Sequence, residues 1–164
     1  MLRTLPIAAI GALLLLGGCT PVARFLVGDS QTSPTGPAGK PGVGGRTEWT
    51  GTAAKAEDQQ FRVARTADEW RDLWKLAGTP MPGSLPTGMM ALGGFSGRRP
   101  TGGYGIVFVG LREVQDMAMP PQVVVNYRET VPPANAQVTP APTSPWVIEL
   151  ERARDMPVQF TPEE

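Results

Sequence analysis

Apolar positions recur at helical spacing in one part of the chain, just after residue 66. There the apolar side chains are three or four positions apart, so they form a single stripe along an α-helix. Thr66 and Glu69 have the spacing of a capping box, and Gly78 suits the left-handed position that follows a helix. We predict one amphipathic helix over about residues 67–77. The residues of its buried stripe are Trp70, Leu73, Trp74 and Ala77.

The other apolar segments are short and rich in β-branched and aromatic residues, which is typical of β-strands. Residues 60–65 alternate between apolar and polar side chains, as expected of a half-buried strand. We predict an α+β, β-rich fold: an antiparallel sheet or a small sandwich of about six or seven strands with the single helix. The predicted strands cover residues 47–52, 60–65, 89–95, 104–114, 122–128, 146–151 and 157–160.

Residues 98–104 read Arg-Arg-Pro-Thr-Gly-Gly-Tyr and lie between two predicted strands. Proline restricts its own φ, and Gly102 and Gly103 can both take the positive φ that tight turns demand. Because apolar segments precede and follow the turn, we expect it to join two antiparallel strands as a hairpin. Gly102 and Gly103 are then structural turn residues.

The same turn supplies candidate residues for binding another protein. Paired arginines beside a tyrosine suit a carboxylate-bearing surface, because Arg and Tyr are enriched at interfaces. The alternative is that the arginines only keep the tip of a hairpin soluble and discourage edge pairing. The candidate protein-binding residues are Arg98, Arg99, Pro100, Thr101 and Tyr104.

Residues 131–145 contain five prolines. A loop of this length is long for a compact domain. Two interpretations remain open: the loop is functional, or it is a solvated polyproline spacer between strands.

The first residues have the pattern of a secretory signal. Arg3 precedes an apolar stretch, residues 5–16, which is shorter than the roughly 20 residues of a membrane span. Leu16-Gly17-Gly18-Cys19 follows and resembles the lipobox of bacterial lipoproteins. That resemblance implies a signal peptide at residues 1–18 and a mature chain that begins with a lipidated Cys19. The alternative is an ordinary signal peptide with an incidental cysteine.

Residues 19–45 are rich in Pro, Gly, Ser and Thr, so we predict a flexible linker between the anchor and one globular domain, residues 46–164. The expected location is the cell envelope, held by the lipid. Thr20 occupies the position where aspartate favours inner-membrane retention in many Gram-negative bacteria. If the source is Gram-negative, we therefore expect the periplasmic face of the outer membrane.

The residue inventory is poor in groups for catalysis. The chain has no histidine, and its single cysteine, Cys19, is the one expected to carry lipid. We predict no catalytic residues, no metal site and no cofactor besides that covalent lipid. The formal net charge is zero, and loss of the signal peptide removes only Arg3. A nearly neutral chain has no electrostatic footprint for nucleic acid.

Three motifs resemble the PrcB C-terminal family: the helix T-A-D-E-W-R-D-L-W, the turn and strand R-R-P-T-G-G-Y-G-I-V-F-V, and S-P-W-V-I-E-L near the end. The family is named for a lipoprotein subunit of a surface protease complex. The resemblance covers about residues 62–160 and implies a β-rich accessory or stabilising module without catalysis. Residues 85–88, Leu-Pro-Thr-Gly, depart from the acidic-aromatic pair that the family carries before its turn.

We therefore expect a non-catalytic envelope lipoprotein that binds another envelope protein, with an exported protease as the leading partner by resemblance. One alternative is a protease inhibitor that uses residues 98–104, because Arg99-Pro100-Thr101-Gly102-Gly103-Tyr104 also resembles a loop of chagasin-type inhibitors. Another alternative is a purely structural envelope lipoprotein.

Overall fold

The computed structural model describes residues 40–41 and 47–163. The predicted signal peptide, Cys19 and most of the predicted linker lie outside these residues. The helix is α1 (Ala67–Ala77). The strands are β1 (Lys40–Pro41), β2 (Thr47–Gly51), β3 (Gln60–Ala64), β4 (Met89–Phe95), β5 (Gly105–Asp116), β6 (Met119–Thr130), β7 (Trp146–Arg152) and β8 (Val158–Pro162).

The larger sheet has five strands in the order β1-β2-β7-β4-β3, and every pairing in it is antiparallel. β7 occupies the centre, because it pairs with β2 on one side and with β4 on the other. β1 is a two-residue strand in which Lys40 and Pro41 pair with Glu48 and Thr47. Two residues of the predicted linker thus belong to the sheet.

The smaller sheet has three strands in the order β5-β6-β8. β5 and β6 form a long antiparallel hairpin, and β8 pairs with β6 in the parallel direction. Besides the two-residue β1, the described residues hold seven strands in two sheets together with α1. The predicted α+β, β-rich fold is confirmed.

The predicted helix at 67–77 is confirmed as α1, with both of its caps. The Thr66 hydroxyl accepts from the Glu69 backbone N–H at 3.2 Å, and Glu69 Oε2 accepts from the Thr66 backbone N–H at 2.9 Å. Gly78 ends the helix with a φ of 74°. No helix in the described part of the chain is long and apolar enough to cross a membrane.

The buried stripe of α1 packs on one face of the larger sheet. Trp70 and Trp74 meet edge to face at 5.2 Å between ring centroids, and Trp49 of β2 and Trp146 of β7 join them. Gly93 of β4 lies beneath the helix, where a Cβ atom would overlap the Leu73 side chain. Glycine at this position therefore leaves room for the Leu73 side chain, which a larger residue would displace. The two helix tryptophans are core residues, as predicted.

The smaller sheet packs on the opposite face of the larger one. A second core lies there and contains Met90 and Leu92 of β4, Val147 of β7, and Ile106 and Phe108 of β5. The domain therefore has three layers: α1, the five-stranded sheet and the three-stranded sheet. β4 and β7 contribute side chains to both cores.

The prediction that residues 98–104 close a hairpin is wrong. β4 belongs to the larger sheet and β5 to the smaller one, so the segment crosses between sheets. β4 already pairs with β3 on one edge and with β7 on the other, which leaves no edge for β5. β5 pairs instead with the next strand along the chain, β6.

Candidate functional site

The segment of residues 98–104 is held along its length by the proline-rich loop, residues 131–145. Arg99 and Thr143 exchange two backbone hydrogen bonds, at 2.7 Å and 3.0 Å. The Gly102 N–H donates to the Thr139 carbonyl at 2.9 Å, and the Thr143 hydroxyl donates to the Thr101 carbonyl at 2.8 Å. The proline-rich loop is thus attached to the 98–104 segment at Thr139 and Thr143, whereas residues 133–137 and 139–142 are exposed, so both interpretations of the loop stay predictions.

The two arginines of the segment have different roles. Arg99 Nη2 donates to both carboxylate oxygens of Glu129, at 2.8 and 2.9 Å, and its guanidinium carbon lies 5.7 Å from the centre of the Tyr104 ring. Gln59 Nε2 donates to the same carboxylate at 3.1 Å. The Arg99 side chain is only 28% exposed. Arg99 thus ties the segment to the end of β6.

Arg98 is turned outward instead. Its side chain is 67% exposed, and its guanidinium lies 4.0 Å from Glu57 Oε2, at the outer limit of an ion pair. Its backbone N–H donates to the Glu57 carbonyl at 2.9 Å, which fixes the backbone but leaves the guanidinium accessible to solvent. Between the two arginines, Arg98 is the one whose charge is accessible to a partner molecule.

The two glycines also differ. Gly103 has a φ of 86°, as expected, whereas the φ of Gly102 is not positive. The expectation of positive φ is therefore wrong for Gly102. The reason is that the segment is a crossover shaped by its bonds to the proline-rich loop, and it has no need of the paired positive-φ residues of a two-residue hairpin turn.

Two cavities flank the 98–104 segment. On the Arg98 side, a cavity of about 230 Å³ is bordered by Ala54, Glu57 and Pro142. On the Tyr104 side, a cavity of about 260 Å³ is bordered by Thr50, Val107 and Trp146. One cavity thus lies at each end of the segment, and Pro100 and Gly103 between them are exposed; residues 98–104 are called the ridge below.

Few groups beside this ridge are available for chemistry. Ser144, which borders the Arg98 cavity, is buried, and its hydroxyl donates to the Ala56 carbonyl at 2.9 Å. Among the described residues, no group of three or more His, Cys, Asp or Glu side chains is placed to hold a metal ion. What the ridge offers is the guanidinium of Arg98, the ring of Tyr104 and apolar loop atoms.

Sequence reasoning missed a second exposed feature, the tip of the β5–β6 hairpin. Met117 is fully exposed and Met119 is 51% exposed. The local signal was ambiguous, because Asp116-Met117-Ala118-Met119 lacks the Asn-Gly or Asp-Gly pair that marks most tight hairpins. Pro120 and Pro121 also argued against a strand there.

Together these features define a β-rich α+β domain of two packed sheets, with a rigid crossover ridge at one point and a projecting hairpin at another. The model of the PrcB C-terminal family matches residues 90–149, which include the ridge, the hairpin and the proline-rich loop. The match shows that the chain is similar to that family over these residues, which supports the predicted resemblance. A search of curated proteins and a search of solved structures each found no match.

Proposed function

We propose that the chain is a non-catalytic, lipid-anchored protein of the bacterial cell envelope that binds another envelope protein, as an accessory or stabilising subunit of an exported protease. The observation that carries this proposal is the match to the PrcB C-terminal family across residues 90–149. The proposed anchor is the lipid on Cys19, and the proposed location is the cell envelope, with no nucleic acid as partner.

The 98–104 ridge is the proposed binding surface. Its backbone is already fixed by the proline-rich loop, so little conformational entropy would be lost on binding. Arg98 supplies an accessible cation for a carboxylate of the partner, and Pro100 and Tyr104 supply apolar contact. Arg99 is assigned a supporting role, because Glu129 already neutralises its charge. Thr101 is assigned the same role, since its carbonyl accepts from Thr143.

The test is crosslinking of the native lipoprotein in intact cells, followed by affinity capture and mass spectrometry. We expect an exported protease among the stoichiometric partners. Arg98→Ala should reduce its recovery without changing the melting temperature. Lys75→Ala, which removes an exposed cation from α1, is the matched control and should leave recovery unchanged.

The outcomes separate the three functional classes. Recovery of an active protease supports an accessory subunit, whereas a protease that is slowed competitively by this chain would indicate an inhibitor. Recovery of only abundant envelope proteins would indicate a structural lipoprotein.

In the same cells, Cys19→Ser should move the protein from the membrane fraction to the soluble fraction, and continued membrane association would contradict the proposed anchor.

A further inference from the structure

The β5–β6 hairpin projects beyond the rest of the smaller sheet. β8 pairs with β6 only from Val123 to Tyr127. Residues 119–122 of β6 therefore pair with β5 alone in the described part of the chain. Residues 115–121, around the turn, are all exposed. The hairpin thus presents its tip to the surroundings, free of the two cores.

The tip is apolar, although it faces solvent. Its outermost residues are Met117, Ala118, Met119, Pro120 and Pro121. Neither methionine contributes to either core of the domain. Packing within the domain therefore does not account for apolar side chains at the tip. Burial of these side chains against another molecule would account for them. Methionine is also suited to irregular pockets, because its side chain is unbranched and polarisable.

The tip is held in a defined shape. The Asp116 carboxylate accepts a hydrogen bond from the Ala118 N–H at 2.9 Å, which closes the turn. Lower on the hairpin, Arg154 forms an ion pair with Glu113 at 2.5 Å, so β5 is attached to the segment that precedes β8. A fixed tip loses little conformational freedom on binding.

The charges around the tip favour a protein over a lipid surface. The tip itself, residues 116–121, carries a single charge, on Asp116, and contains no lysine, arginine or aromatic residue, while Glu113 lower on the hairpin is paired with Arg154. Segments that insert at lipid surfaces combine basic residues with Trp, Phe or Leu, which this tip lacks. A protein pocket with an apolar interior would match the methionines of the tip. A cation or N–H donors at the rim of that pocket would match the Asp116 carboxylate.

We propose that the tip of the β5–β6 hairpin, residues 116–121, docks into an apolar, positively rimmed pocket of the partner protein. This proposal rests on the proposed function for the existence of a protein partner, but it uses a surface other than the 98–104 ridge. Met117 and Met119 enter the pocket, and the Asp116 carboxylate faces its rim.

The test places a photocrosslinking amino acid, p-benzoylphenylalanine, at position 117 of the full-length lipoprotein in intact cells. Position 75 on α1 serves as the exposed control. We expect one discrete protein adduct at position 117, identified by mass spectrometry, and a much weaker one at position 75. The full-length chain in detergent is then titrated against that purified partner.

Three variants test the chemistry of docking. Met117→Ser combined with Met119→Ser should weaken binding about tenfold or more, since it removes the apolar anchors. Met117→Leu combined with Met119→Leu keeps apolar volume and should retain most of the affinity. Gln115→Ala changes an exposed polar neighbour and should leave the affinity within about threefold. All three should keep the wild-type melting temperature, because the side chains are exposed.

The failure of this proposal is distinguishable from the failure of the proposed function. If a partner is captured but binds the serine variant as tightly as the wild type, the proposed function stands and the docking tip is overturned. Adducts with lipid alone, or with a second copy of this chain, also overturn the docking tip. If neither the crosslink nor affinity capture yields a protein partner, both proposals are overturned.

Discussion

At Gly103, backbone conformation and packing both require glycine. Its φ of 86° lies in the region that side chains with a Cβ rarely adopt. A Cβ atom at this position would also lie 2.9 Å from side-chain atoms of Pro132 and Val138, in the proline-rich loop. At Gly102 the nearest atom to an added Cβ, on Thr139, is 3.4 Å away, which is ordinary van der Waals contact.

Gly103→Ala should therefore lower the free energy of unfolding by about 1–2 kcal/mol, through strain at positive φ and displacement of the proline-rich loop. Gly102→Ala should cost less, about 0.5 kcal/mol or below. Urea denaturation of the two variants and the wild type measures both values. Equal losses in the free energy of unfolding would contradict the different roles assigned to the two glycines.

The residues of the ridge could be selected from the sequence, but their roles could not be assigned. Arg98 and Arg99 are adjacent and chemically identical, and no local pattern separates them. Glu129 separates them, because β6 carries its carboxylate to Arg99 from 30 positions along the chain. Which of two neighbouring cations is neutralised depends on that long-range contact, which appears only when the strands are assembled.

At the scale of elements, α1 was predictable because its signals are local. The capping box, the apolar stripe and Gly78 all lie within the helix or one residue outside it. Strand positions were predictable for the same reason, and β4 was predicted with its observed limits, residues 89–95. The pairing of the strands could not be predicted in the same way. Whether β5 pairs with β4 or with β6 depends on which sheet edges other strands already occupy.

The start of α1 should make stability depend on pH. The Arg65 N–H donates to Glu69 Oε2 at 2.7 Å, and this bond, with those from Thr66, lowers the pKa of the Glu69 carboxyl. A folded-state pKa below the unfolded value of about 4.3 gives stability that is present above that pH. This stability is lost as the pH falls through the folded-state pKa.

Glu69→Gln should therefore lower the free energy of unfolding at neutral pH, and its difference from the wild type should shrink as the pH falls below about 4. Chemical denaturation at a series of pH values measures this difference. Thr66→Ala is the control: it should cost about 1 kcal/mol by removing the other half of the cap, while the Glu69 carboxylate still titrates. A difference for Glu69→Gln that is constant with pH would argue against a role of the charge.

At the scale of the whole molecule, the shared strands couple the two cores. All four tryptophans lie in the core beneath α1, and Phe108 lies in the other core, fully buried against Gly94 and Phe160. Because β4 and β7 contribute side chains to both, neither core should persist when the other is lost.

Phe108→Ala should accordingly lower the unfolding midpoint detected by tryptophan fluorescence, although no tryptophan belongs to its core. A buried phenylalanine costs about 3–5 kcal/mol when replaced by alanine. Far-UV circular dichroism should give the same midpoint as fluorescence, as expected of two-state unfolding. If the fluorescence midpoint stayed at the wild-type value, the two cores would unfold independently.

The central place of β7 also bears on the order in which the domain can form. β2, β3 and β4 all precede it, yet β7 separates β2 from β4, and it spans residues 146–152. A chain that emerges amino end first, from a ribosome or through a membrane channel, therefore lacks the middle of its main sheet until nearly all of it has emerged. The β5–β6 hairpin can form sooner, but a hairpin alone is marginally stable in water. Such a strand order delays closure of the main sheet until β7 is available to join β2 and β4.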